Sequence, residues 1–148
     1  VQPRLRRLLP CASPKAYSGL TNRVHTFRVR AVDRAGNVDP APSARTWTVD
    51  TTLPAIASPS PAPSSATQDR TPTVRATVRD TQTDLAKTGV QLYVDGIRRT
   101  TFSYDRATDR LSYTPATNLS YARHTAKVVA RDAAGNTTTK SWSFGVTR

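Results

Sequence analysis

His124-Thr-Ala-Lys-Val-Val-Ala-Arg-Asp-Ala-Ala-Gly-Asn136 decides the fold, because His25-Thr-Phe-Arg-Val-Arg-Ala-Val-Asp-Arg-Ala-Gly-Asn37 repeats it at an offset of 99. A recurring period is read before anything else, since it governs every later assignment. Leu20 and Leu119 match at the same offset, while Trp47 and Trp142 match at 95, which gives the first copy four extra residues around Val38-Asp-Pro-Ala-Pro-Ser43. Within each copy the side chains alternate. His25, Phe27, Val29 and Ala31 share one face, and His124, Ala126, Val128 and Ala130 share its counterpart, the period-2 mark of a half-buried strand. Asp-x-Ala-Gly-Asn then supplies a turn, because Asp bonds backbone two residues on and Gly and Asn tolerate positive φ. The returning strand turns Trp142, Phe144 and Val146 inward. Each copy is therefore expected to be a β-hairpin, with Asp33, Gly36, Asn37 and Asp132, Gly135, Asn136 as turn residues and Trp47 and Trp142 in equivalent core places.

Upstream of the second hairpin, Pro72-Thr-Val-Arg-Ala-Thr-Val-Arg79 and Val90-Gln-Leu-Tyr-Val94 alternate in the same way, the latter ending in Asp95-Gly96. Thr101-Phe-Ser-Tyr104, Leu111-Ser-Tyr-Thr114 and a strand near Ala55 to Ser58 bring residues 54–148 to about seven strands, the number of a β-sandwich. Composition agrees: the chain has 148 residues, 23 of them Thr and none Glu or Met, a balance that favours strands over helices. The expected fold is all-β, an immunoglobulin-like β-sandwich with one complete module (54–148) preceded by a partial one (11–53). Between them Asp50-Thr-Thr-Leu-Pro54 reads as a short linker stiffened by proline.

The run Cys11-Ala-Ser-Pro-Lys-Ala-Tyr-Ser-Gly-Leu20, continued by His25 to Pro40 and Trp47-Thr-Val-Asp-Thr-Thr52 with Pro54, resembles bacterial Ig-like repeats. Residues 54–148, with Leu92-Tyr-Val-Asp-Gly96 and Trp142-Ser-Phe144, resemble a second subtype of that superfamily. The resemblance implies tandem modules of a large secreted or surface-attached protein, used for spacing or adhesion and usually not catalytic. It also implies a segment like Cys-Ser-Leu-Asp-Gly-Ala-Ala-Phe ahead of Cys11, where this chain has Val1-Gln-Pro-Arg-Leu-Arg-Arg-Leu-Leu-Pro10. Codons GTG-CAG-CCT-CGA-C for the first residues read one base later as Cys-Ser-Leu-Asp. Residues 1–10 are therefore an atypical segment with two readings, an out-of-frame translation of the expected strand or genuine sequence forming a short basic strand or tail; coding DNA with no frame change that restores the family string refutes the first. An intact relative would give Cys11 a disulfide partner, worth about 2 to 4 kcal/mol in a small exported domain; here Cys11 is expected to be unpaired.

Candidate chemistry is sparse. One Cys and two His leave no thiolate-rich zinc site, no Gly-x-Ser-x-Gly elbow exists, and no Ser/His/Asp set recurs, so no enzyme and no cofactor are expected. His25 and His124 open equivalent strands and are expected to pack or hydrogen-bond at a corner. Asp105 and Asp109 flank a turn. The alternative to no metal is Ca²⁺ held by Asp50, Asp80 and Asp84 at the module junction, since hard oxygen donors stiffen strings of sandwiches. The net charge of +12 invites polyanions, but the excess is diffuse, and outward Arg75 and Arg79 fall on a different sheet from outward Lys127 and Arg131. No specific nucleic acid is expected, and no apolar run approaches the roughly 20 residues of a membrane span. The expected partners are neighbouring Ig-like repeats and a protein or cell-wall polysaccharide ligand, outside the cell or on its surface. The rival role is an accessory, substrate- or polyanion-binding module of a secreted enzyme.

Overall fold

A computed structural model describes residues 9–148 as two compact units that divide between Val49 and Asp50. Most of the atypical segment, residues 1–8, lies outside the described residues. Asp50 opens the second unit, four residues ahead of the boundary at 53/54 read from the sequence.

Unit 1 is built on one antiparallel hairpin, β1 (Arg23–Val29) and β2 (Ser43–Val49). His25, Phe27, Trp47 and Val49 are its half-buried residues; Val29 and Ala31, expected on the same inward face, are exposed, Val29 at 43%, so the predicted alternation holds on β1 only at His25 and Phe27. Tyr17 packs on this face, with ring centroids 6.1 Å from Phe27 and 6.5 Å from Trp47. Trp47 is only half-buried because the described residues of unit 1 supply a single sheet.

Unit 2 contains β3 (Ala55–Ser60), β4 (Ala66–Thr67), β5 (Val74–Arg79), β6 (Val90–Val94), β7 (Ile97–Arg99), β8 (Ser103–Asp105), β9 (Arg110–Tyr113), β10 (Arg123–Arg131) and β11 (Thr137–Val146). They form two sheets. One has the order β3-β5-β9-β8, the other β4-β11-β10-β6-β7. This is the strand order of an immunoglobulin sandwich, with the first strand split so that its later part crosses to the opposite sheet. A bulge between Ala57 and Ser60, with Ser58 at φ 48°, accompanies that crossing. Two of these strands had no sequence signal. β4 is two residues long and pairs in parallel with β11, and β7 follows a two-residue Asp95-Gly96 turn with positive φ at both positions, 53° and 76°.

The core lies between the sheets. Val74, Ala76, Val78, Leu111 and Tyr113 face Leu92, Val94, Ala126, Val128, Ala130, Trp142, Phe144 and Val146 in one buried cluster, with Leu85 and Phe102 contributed by connecting segments. The edge strand β8 is tied in by Tyr104, whose phenol donates to the Val78 carbonyl at 2.6 Å. Gly89 shows how closely the backbone packs. It ends a 3-10 turn (Lys87–Gly89), and a Cβ there would lie 2.3 Å from the Arg131 carbonyl oxygen.

Pairing corrects one sequence reading. His25 pairs with Trp47, but His124 pairs with Phe144, so Trp47 takes the place of Phe144, and Arg45 takes that of Trp142. The two copies of the turn superpose as far as Val32↔Val38, which corresponds to Arg131↔Thr137. Beyond that bridge the first copy slips by two residues and not four, in the segment holding Pro40 and Pro42, which cannot donate to a ladder. The Asp39 carboxylate accepts from the Ala41 N–H there at 2.8 Å. Because the slip is even, the inward face stays inward.

Candidate functional site

The turn residues predicted from the repeat form matching constellations in both units. Asp33 accepts from the backbone N–H of Asn37 at 2.8 Å and from its side-chain amide at 2.7 Å; Asp132 accepts from Asn136 at 2.8 Å for each. Gly36 and Gly135 take φ of 87° and 97°, as the fourth position of such a turn requires. The Asn37 bonds, side-chain first and then backbone, hold the Asp33 carboxyl below its ordinary range.

At this end of unit 2 the sandwich brings together side chains from three distant segments. Asp50 precedes β3, Asp80 follows β5 and Asp132 follows β10; one carboxylate oxygen from each lies within 4.8 Å of the others. Asp50 and Asp132 are buried, 9% and 7% exposed. Asp50 accepts from the Thr52 N–H at 2.9 Å and the Thr83 hydroxyl at 3.2 Å. Asp80 Oδ1 accepts from the Gln82 and Thr83 N–H groups at 2.8 and 2.9 Å, whereas its Oδ2 is closed to solvent and has no hydrogen-bond partner. The Asn136 amide also donates to the Asp50 carbonyl at 3.1 Å, so one side chain ties the turn to the residue that opens the unit.

Of the carboxylates expected for Ca²⁺, then, Asp50 and Asp80 meet, and Asp84 does not. Asp84 pairs with Arg106 instead, both more than half exposed. Asp132, read from the sequence as a turn residue, takes its place. No local signal marks that substitution: residues 50, 80 and 132 converge only through the sandwich topology.

The second constellation is the corner at His124. Its ring is 5% exposed, with Nδ1 2.7 Å from Asp95 Oδ2 and Nε2 3.0 Å from the Ser120 carbonyl. Asp95 also accepts from the Thr125 N–H at 2.9 Å. Burial pulls the His124 pKa down, but the Ser120 bond, the Asp95 bond and the Asp95 charge together raise it above its ordinary value. His25 repeats half of this arrangement: its Nε2 lies 2.8 Å from the Thr21 carbonyl, four residues back, as Ser120 is from His124. His25 stacks on Trp47 at 5.9 Å, as His124 packs on Phe144 at 5.8 Å. Asp95 was legible as a hairpin turn but not as the partner of a buried imidazole.

The four outward basic residues singled out from the sequence are split between the sheets. Arg75 and Arg79 lie on β5, Lys127 and Arg131 on β10, in opposite sheets. Lys127 is spent against the Tyr93 ring, 4.2 Å from its centroid. Asp105 caps its own turn, accepting from the Thr108 hydroxyl and the Ala107 N–H, which hold its carboxyl below the ordinary range. Among the described residues, no helix is long and apolar enough to cross a membrane.

No protein-family model and no curated protein matches the chain. Among solved structures it is similar to the crystal structure of CopC from Methylosinus trichosporium OB3b, at 12% identity and a TM-score of 0.49, over 62% of this chain and 91% of that one. A likeness of that size assigns no activity. The chain carries a small all-β domain with the topology of an immunoglobulin sandwich.

Proposed function

We propose that the chain is a piece of a tandem array of bacterial Ig-like repeats, in which unit 2 is a non-catalytic spacer or adhesive module of an exported or surface protein. In this reading unit 1 is the closing hairpin of the preceding repeat. The partners are neighbouring repeats and a protein or wall-polysaccharide ligand held by loops or strand edges.

The observation that carries the reading is the parallel pairing of β4 with β11. Ala66 lies beside Gly145 and Thr67 beside Val146, with backbone bonds from Gly145 N–H to the Ser65 carbonyl and from Thr147 N–H to the Thr67 carbonyl. β4 lies toward the start of the unit and β11 at its end. Tension applied through the two ends therefore loads these bonds together, in shear, rather than peeling them one at a time. A spacer under load needs that arrangement.

Pulling the full chain from both termini in a single-molecule force experiment tests it. Unit 2, Asp50–Arg148, is expected to open in one cooperative event that releases about 30 nm of chain at roughly 3.3 to 3.6 Å per residue. Thr67→Pro removes the Thr67 N–H and stiffens the clamp strand without touching the core, and is expected to lower the opening force. Opening without a resolved force event, or a force unchanged by T67P, contradicts the mechanical role.

A further inference from the structure

We propose that the outward face of the five-stranded sheet of unit 2 binds a linear, carboxylate-bearing polysaccharide. This rests on the proposed function and deepens it: it names the chemistry of the ligand and seats it on a sheet face instead of on loops or strand edges. The order β4-β11-β10-β6-β7 and its registers fix which side chains share that face. Along β10, Arg123, Lys127 and Arg131 point outward, between the inward His124, Ala126, Val128 and Ala130. Lys127 pairs with Tyr93, and Tyr93 with Arg98, so these three side chains lie abreast across β10, β6 and β7. On the other side of β10, Ser141 stands opposite Lys127 and Ser143 opposite Thr125, which adds hydroxyls to the row. Four cations therefore occupy one face. From Arg123 to Arg131 it runs about 26 Å, at roughly 3.3 Å per residue.

No strand of this sheet carries a carboxylate: the acidic residues of unit 2 stand in turns and loops or, as Asp105, on the opposite sheet. The ion pairs among the described residues, Arg106–Asp84 and His124–Asp95, leave all four cations out. Asp95, in the turn between β6 and β7, is taken up by His124 and the Thr125 N–H. The positive field of the face is thus uncancelled and attracts an extended anion. Two of the cations are also held in place. The Lys127 ammonium sits 4.2 Å from the Tyr93 ring centroid, which fixes its position without neutralising it, and Arg123 Nε donates to the Ser143 hydroxyl at 2.9 Å. Ordering them beforehand lowers the cost of binding. Guanidinium forks match carboxylates, and serine hydroxyls match those of a sugar. Nucleic-acid bases are served poorly, because Tyr93 is half-buried and its ring is already in contact with Lys127, which leaves no open stacking platform. Unit 1 repeats the pattern on its own hairpin. By register Arg28 holds the place of Lys127, and Thr46, whose hydroxyl lies 3.2 Å from that of Thr26, holds the place of Ser143; neither strand carries a carboxylate. Recurrence of such a face from repeat to repeat adds contacts along one polymer.

The test measures binding of the full chain to immobilised alginate, a polyuronate, beside dextran, which is uncharged, and a single-stranded oligothymidylate, whose charge is phosphate. Alginate is expected to bind, dextran not, and the oligothymidylate more weakly than alginate. The alginate affinity should fall at least about tenfold between 50 and 200 mM NaCl. Arg98→Thr combined with Arg123→Thr removes two cations from exposed strand positions that threonine suits, so the fold and its melting temperature should hold while alginate affinity falls about five- to thirtyfold. Arg75→Thr combined with Arg79→Thr removes the same charge from the opposite sheet and should leave the affinity within about twofold. A chain that ignores alginate at low salt, dextran bound equally well, or equal losses in the two double variants, which would mean net charge alone, overturns the proposal. So does an oligothymidylate bound as tightly as alginate. Such results leave the mechanical reading standing, because the force experiment reads the pairing of β4 with β11 and not this face.

Discussion

Asp95→Asn is the substitution that examines the His124 corner most closely. Two acceptors face the two ring nitrogens, Asp95 Oδ2 at 2.7 Å and the Ser120 carbonyl at 3.0 Å, so satisfying both requires an N–H at each and hence the imidazolium. With asparagine, the side-chain oxygen can stay on the Thr125 N–H while its amide turns to Nδ1, which then has to accept, and the neutral ring takes over. What is lost is the charge-assisted part of the bond. Hydrogen bonds to charged groups contribute about 1.5 to 3 kcal/mol, and the Asp95 side chain is 38% exposed, so screening puts the loss near the lower end, about 1.5 kcal/mol. For a domain of this size that lowers the melting temperature by roughly 6 to 12 °C. The sign with pH follows from linkage. The folded pKa of His124 is raised above its ordinary 6.5, so its contribution is complete below that value and is lost as pH rises through the folded pKa. Melting both proteins from pH 5 to pH 9 should show the gap widest in acid and narrowing toward the alkaline end, where both rings are neutral. A gap that is constant, or that widens with pH, refutes the imidazolium.

Other perturbations probe other parts of the structure. Gly89→Ala drives a methyl into the Arg131 carbonyl and should cost about 1 to 3 kcal/mol, read as a lower urea midpoint with an unchanged m-value. Trp142→Ala empties the core and should cost about 3 to 5 kcal/mol, whereas Trp47→Ala should leave the unit 2 transition where it is. Tyr104→Phe removes the bond to Val78, at a cost of about 1 kcal/mol. Burial first, and then the nearby Asp109 and Asp84 charges, push the Tyr104 phenol up to about 12, so its share of stability is lost as pH climbs above 10.0, where the unfolded chain ionises. Ultraviolet difference titration should find one late-ionising tyrosine that is absent in Y104F.

What the sequence made legible was local. Alternation in Val74 to Val78, Val90 to Val94 and His124 to Ala130 marked three strands of the core, and Asp-x-Ala-Gly-Asn marked both hairpin turns. Those signals depend on neighbours within a few residues, and they survived folding. What it hid was long-range. Ala66–Thr67 has no pattern of its own and becomes a strand only because β11 offers it an edge. Trp47 and Trp142 looked equivalent by residue type, but ladder register, shifted by two residues near Pro40 and Pro42, matched Trp47 to Phe144. Asp132 read as a turn residue and Asp84 as a companion of Asp50 and Asp80, until topology put Asp132 beside those two and gave Asp84 an arginine. Residue identity announced a turn; only the packing of two sheets announced a cluster.

The account stands on β10 being a central strand of a two-sheet sandwich, flanked by β11 and β6. Nuclear Overhauser spectra of the full chain examine this directly at one residue. Lys127 is paired with Ser141 on one side and Tyr93 on the other, so its backbone protons should show cross-strand contacts to both. Contacts to one neighbour alone, or a helical series of contacts three residues apart through His124 to Arg131, would contradict it.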